Sequence, residues 1–225
     1  MLRYNPIMAI ERTSAEALFR RADEFFMGEG PVYKTLRSLA RRLSDEGIPY
    51  AVAGGMALVF HGYKRETVDV DFLLTADGRD RLVSHLEGLG YRPMFLGARK
   101  RFRDTDTGVE IDLIITGEYP GDGKPKPVHF PDPEQASCEI EGVQILTLAK
   151  LIELKLASGM TAPHRLRDLG DVQELIKIRN LGADFAEQMN PYVRDKYLEL
   201  WNGVRQGELS EFEERPPDDD DDRSR

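Results

Sequence analysis

The stretch Val68–Leu74, VDVDFLL, sets two aspartates in alternation with apolar residues. Side chains two apart on a strand share a face, so Asp69 and Asp71 project together while the valines pack on the other side. Aspartate is disfavoured in strands. Two carboxylates about 4 Å apart also repel by roughly 4 kcal/mol at an effective dielectric of about 20. A chain that keeps them there needs a bound cation, a neighbouring Lys or Arg, or a proton shared between the two. The plainer alternative is a solvated edge strand with Lys64 or Arg65 as counter-ion.

A second segment, VEIDLIIT, repeats the pattern with Glu110 and Asp112. If its strand lies beside the first, three or four carboxylates meet at one sheet end. Such a group of oxygen ligands suits Mg²⁺, which takes its remaining ligands from water and phosphate oxygens. Upstream, YAVAGG ends a short β-prone run in Gly54 and Gly55, and MALVFHGY reads as a short helix. Glycines at such a turn let the backbone approach an anion, and the helix N-terminus favours phosphate. Each feature alone is weak. Together they place 13 residues, Met56 to Val68, between Gly55 and Asp69.

This combination resembles the nucleotidyltransferase superfamily that includes DNA polymerase β and the tRNA CCA-adding enzymes. Its pattern is Gly-Gly or Gly-Ser, a spacer, then Asp-hydrophobic-Asp, with a third carboxylate on a later strand. The matching residues are Gly54, Gly55, Asp69 and Asp71, with Asp112 as the third carboxylate and Glu110 as its alternative. Arg65 and Thr67 resemble one branch more closely, the abortive-infection toxins of type IV toxin–antitoxin systems and their bacterial relatives. The resemblance implies transfer of an NMP, from ATP or another NTP, to an acceptor hydroxyl. It implies Mg²⁺, with Mn²⁺ as a substitute, held by Asp69, Asp71 and Asp112, the last sharing a second ion or serving as base. The acceptor classes it allows are a tRNA 3′ end, a protein or a small molecule, and an antitoxin protein is an implied partner. A non-catalytic nucleotide-binding or interaction module on the same fold is the rival expectation.

The remaining chain frames this core as an α+β protein: a small mixed sheet with N-terminal helices and a C-terminal helical annex. Residues 1–46 read as helices, with Thr13 and Glu16 as a capping box and Val32, Leu36, Leu39 and Leu43 at helical spacing. The core is expected over 47–146. It includes a helix over 77–89, a strand pair over 91–103 and 109–116 around the turn DTDTG, and a strand within 139–146. Five prolines in 117–133 predict an extended surface loop rather than a packed element. Helices are expected at 147–158, 164–179 and 184–204, and an acidic, disordered tail at 206–225.

In the first annex helix, Lys155 falls on the apolar stripe of Leu148, Leu151 and Ile152. A core-facing ammonium needs a partner, and periodicity alone favours a snorkelling Lys or a structural pair with Asp168 or Asp171. Members of the toxin branch carry a similar Lys followed by Arg and spaced Asp residues, so the resemblance makes Lys155 a phosphate contact, supported by Asp168 or Asp171.

Composition narrows the class further. The 225 residues carry a net charge of −9, and five of the acidic residues form the run Asp218–Asp222. A basic nucleic-acid binder is excluded at whole-chain level, although Lys100, Arg101, Arg103, Lys124 and Lys126 could form a local basic rim. One cysteine, Cys138, permits no internal disulfide, which fits a cytoplasmic setting. It has no His or Cys partner for thiol chemistry. The N-terminus lacks a secretory h-region, and the longest apolar run, ending at Phe60, is too short to span a bilayer. His61 is expected in the core or at a cap.

Overall fold

A computed structural model of the chain describes residues 25, 27–86 and 89–213. The capping box at Thr13 and Glu16, and the Asp run, lie outside them. Helix α1, Pro31–Asp45, opens on a proline, which suits the first helical turn. It buries Val32, Leu36, Leu39 and Leu43 on the face their spacing predicts. Gly47, at φ 60, turns the chain after it, and Ile48 N–H closes on Leu43 C=O at 2.8 Å.

The core is a seven-stranded mixed sheet in the order β3-β4-β5-β2-β1-β7-β6. Its strands are β1 Tyr50–Ala53, β2 Asp69–Leu74, β3 Tyr91–Pro93, β4 Arg101–Asp104, β5 Glu110–Ile115, β6 Ser137–Ile140 and β7 Val143–Leu146. β1 is antiparallel to β2, with Ala53 opposite Asp71. β2 is parallel to β5, which sets Asp69 opposite Glu110 and Asp71 opposite Asp112. β4 is antiparallel to β5, with Arg101 opposite Asp112. Val70, Phe72, Ile111 and Leu113 are buried between the carboxylate positions. The far end of β2, Phe72 to Leu74, is buried throughout. The alternating, half-buried character is thus confined to the end where the aspartates lie.

Helix α2, Gly54–Phe60, follows β1 without a loop, and α3, Ala76–Leu86, follows β2. The long strand expected over 91–103 is instead two short antiparallel strands, β3 and β4. Met94 to Lys100 between them is irregular, and Gly97 takes a positive φ of 82°. The turn at DTDTG forms as expected, with Asp104 accepting from the N–H groups of Asp106 and Thr107. Thr35 on α1 donates to the same carboxylate at 2.8 Å.

The proline-rich segment departs from expectation. Val128 is buried in the core, and the Lys126 ammonium reaches Pro120 C=O, Asp122 and Thr161. Proline blocks regular ladders, but it does not prevent a loop from packing. Its end forms the short helix α4, Pro133–Ala136, capped by Asp132. A hairpin replaces the strand expected within 139–146, because Glu141 and Gly142 both adopt positive φ and return β6 onto β7.

Helices α5 Leu148–Thr161, α6 Leu166–Ile178 and α7 Pro191–Glu213 complete the described residues. Residues 206–213, expected to be disordered, continue α7. Among the described residues, no helix is long and apolar enough to cross a membrane.

Candidate nucleotide and metal site

The β2–β5 register brings the predicted carboxylates together. Asp69 and Asp71 share a face of β2, as Glu110 and Asp112 do of β5, and Asp71 and Asp112 are direct neighbours across the two strands. Adjacent strands lie about 4.8 Å apart, so these charges interact. Burial, then the negative charges of Asp69 and Asp112, push the Asp71 carboxyl up to about 7, against the opposing pull of Lys155 and Arg165. The Asp71 carboxylate makes no hydrogen bond among the described residues. Asp69 accepts from the Thr67 hydroxyl at 2.6 Å.

The Gly-Gly turn is built against the same carboxylates. Gly54 has φ +56, and a Cβ there would lie 1.7 Å from Asp71 Oδ2. A Cβ on Gly55 would lie 2.6 Å from the Thr67 hydroxyl oxygen. Both glycines are therefore required by close approach of the backbone, and Gly54 also by its left-handed conformation.

Asp112 and Glu110 are answered from β4. Arg101 Nε donates to Asp112 at 3.0 Å and its Nη2 to Glu110 at 3.2 Å. Arg103 Nη2 holds the other Glu110 oxygen at 2.6 Å. Lys100 pairs with Glu118 and Lys126 with Asp122, so most of the expected basic rim is turned onto acidic partners. Among the described residues, no three Asp, Glu, His or Cys side chains are gathered as they stand to hold a metal ion. The donor chemistry nevertheless fits Mg²⁺. Asp71 is a half-buried carboxylate without a hydrogen-bonding partner among the described residues, crowded by two like charges and backed by a turn with no side chain.

The helical annex contributes a second polar group. Lys155, which is 8% exposed, donates to Asp168 at 2.9 Å and to Asp171 at 2.7 Å. Both acids therefore hold it, which answers the choice that spacing leaves open. Ser158 donates to the remaining Asp168 oxygen. Arg65, in the loop before β2, donates to Asp171 at 2.6 Å and so ties that loop to α6. Lys155 is thereby held in place by a structural pairing with two acids of α6. The site residues that sequence reasoning passed over are Arg101, as a direct partner of Asp112, and Arg165, whose charge bears on Asp71. Neither has a local signal, because Arg101 acts through a tertiary ion pair and Arg165 through its charge across the fold. His61 is a core residue whose Nε2 lies 2.7 Å from Leu146 C=O, and Cys138 is free and half-buried.

Two predictions follow from these contacts. Asp171→Ala leaves Arg65 without its partner and Lys155 with one, both largely buried. It should destabilise the chain by about 3 kcal/mol, read as a lowered urea midpoint. Loss of the exposed Lys34–Asp106 pair should leave the midpoint nearly unchanged. The second concerns pH. The folded-state pKa of Asp71 lies above its unfolded value of 3.8. Between the two, the native state holds a proton that the unfolded state has released. Stability in EDTA therefore falls as pH rises from about 4 to about 7, by up to roughly 4 kcal/mol. Asp71→Asn should remove that component of the slope in pH-dependent thermal melts.

No protein-family profile and no curated protein matches the chain. Solved structures with a similar course include the antibiotic-resistance factor ANT(2'')-Ia, at 15% identity over 76% of this chain and 90% of that one, with a TM-score of 0.45. JHP933 from Helicobacter pylori is 20% identical over 80% of this chain and 92% of that one, with a TM-score of 0.45. An antigenic nucleotidyltransferase-like protein from Paracoccidioides brasiliensis is 17% identical over 79% and 89%, with a TM-score of 0.48. At such identities and TM-scores, the reading of the site rests on its own residues.

Proposed function

We propose that the protein is a Mg²⁺-dependent nucleotidyltransferase that moves an NMP from an NTP to an acceptor hydroxyl. The observation that carries this reading is the convergence of Asp71, its neighbours Asp69 and Asp112, and the Gly54 backbone at one end of the sheet.

Asp69, Asp71 and Asp112 would hold the ion. When bound, it supplies positive charge to the triphosphate and to the entering and leaving oxygens. Gly54 and Gly55 admit phosphate oxygens to the backbone at the start of α2. Lys155, whose charge already bears on Asp71, would meet the phosphates from the annex, with Arg65 beside it on the shared Asp171. The acceptor oxygen bonds to the α-phosphorus, the bond to the bridging oxygen breaks, and pyrophosphate leaves. The acceptor proton passes to the carboxylate group. A toxin role, with an antitoxin as partner, is the setting supported by the sequence resemblance at Arg65 and Thr67.

The test is incubation of the purified chain with each α-³²P-labelled NTP, Mg²⁺ and a bacterial lysate, beside Asp71→Asn. Label on an RNA, protein or small molecule with the intact chain alone supports the reading and identifies the acceptor class. Expression of the intact chain, but not of Asp71→Asn, should arrest growth if the activity is that of a toxin. Equal labelling by both chains removes Asp71 from the chemistry.

A further inference from the structure

We infer that Arg101 is the built-in counter-ion of the carboxylate cluster, and that it must leave Asp112 before a divalent cation can use that residue, so that Arg101 sets the metal affinity of the site. The inference rests on the function proposed above and adds a residue that lies outside the Gly-Gly and Asp-Val-Asp pattern.

Three observations carry it. Among the described residues, Asp112 is the one of the three carboxylates held by an ion pair: Asp69 accepts from a neutral hydroxyl, Asp71 makes no hydrogen bond, and Asp112 accepts from Arg101 Nε. The placement is dictated by the sheet, because Arg101 on β4 stands directly opposite Asp112 on β5. Release is also feasible. The Arg101 side chain is 52% exposed, so its guanidinium can swing into water without becoming a buried unpaired charge. Glu110 would not be stranded by that movement, because Arg103 already holds its other oxygen at 2.6 Å. Arg101 and Arg103 thus divide the work. Arg103 keeps a partner on Glu110 when Arg101 moves, and Arg101 is the exchangeable partner of Asp112.

The experiment measures Mn²⁺ binding to the full chain from the free-Mn²⁺ electron paramagnetic resonance signal, with Mg²⁺ as competitor. Arg101→Met keeps the apolar stem and removes the charge. It should tighten Mn²⁺ binding roughly three- to tenfold, as expected for removing an exposed competing ion pair. Arg101→Lys, which keeps the charge, should bind within about twofold of the unsubstituted chain. Unchanged or weaker binding in Arg101→Met, with the melting curve still cooperative, overturns the inference, as does equal tightening in Arg101→Lys. Asp71→Asn separates the two levels of the proposal. If the unsubstituted chain binds Mn²⁺ and Asp71→Asn does not, a failure of Arg101→Met counts against the counter-ion role alone. If neither Arg101→Met nor the unsubstituted chain shows binding that depends on Asp71, the metal reading falls and the role of Arg101 with it.

Discussion

Asp71→Asn should lower NMP transfer at least about a thousandfold while raising the melting temperature at pH 8 in EDTA. The first effect follows from the size of metal-dependent charge stabilisation. Several kcal/mol are at stake, and each loss of about 1.4 kcal/mol is a factor of ten in rate. The second follows from the surroundings of Asp71. Its carboxylate is half-buried, makes no hydrogen bond among the described residues, lies beside the like charges of Asp69 and Asp112, and has its pKa pushed up to about 7. At pH 8 it is ionised at a cost, and the amide of Asn removes that charge without removing volume. A residue retained against stability is expected where function needs it. Circular dichroism melts and the labelling assay, run on the same preparation, read both effects. A substitution that lowers activity and stability together would mark Asp71 as a structural residue instead.

Gly54→Ala should be nearly as damaging to transfer, for a reason confined to the turn. Its Cβ would stand 1.7 Å from Asp71 Oδ2 and 2.6 Å from Asp71 Cγ, at a residue with φ +56. The left-handed conformation costs roughly 1–2 kcal/mol for an L side chain. The clash cannot be borne, so the Asp71 carboxylate must turn away from its place. We expect about a hundredfold or greater loss of transfer, of the kind that follows a displacement of about 1 Å in a catalytic group, together with destabilisation of about 1–3 kcal/mol. The double variant Gly54→Ala, Asp71→Ala isolates the two terms. Removing the Asp71 carboxylate relieves the clash and leaves the backbone strain, so the stability losses should be less than additive. Strict additivity in denaturant titrations would show that Gly54 and Asp71 do not meet.

The parts of the site that could be read from the chain are those with local signatures. Asp69 and Asp71 announce themselves by a period of two within an apolar run, and Gly54–Gly55 by lying between a strand and a helix. Asp112 required more, because its meeting with Asp71 depends on β5 pairing parallel to β2 in one register, which no local pattern encodes. Arg101 was legible only as part of a basic stretch. Its role depends on β4 adding to the outer side of β5, after a turn whose length and direction are set by tertiary packing. Lys155 shows the limit differently. Periodicity placed it in the core and in need of a partner, but Asp168 and Asp171 both face it, since residues three apart lie on one helical face. The two larger departures of the fold have similar causes. The strand expected over 91–103 breaks into β3 and β4 after Pro93, where the chain turns through Gly97. The segment 117–133 packs because Val128 and the Lys126 stem find room against the core, a contact that proline content does not reveal.

These residues define a cluster that is electrostatically incomplete by itself: three neighbouring carboxylates, one backbone turn without a side chain, and one exchangeable arginine. The acceptor need not be known to test that claim. Isothermal titration of each of the four NTPs into the full chain, with Mg²⁺ and with EDTA, and into Asp71→Asn, addresses it directly. The predicted result is saturable binding of at least one NTP that requires both Mg²⁺ and Asp71. Binding that is equally strong in EDTA or in Asp71→Asn, or no binding of any NTP under any of these conditions, would contradict a nucleotide and metal site at Gly54, Asp69, Asp71 and Asp112.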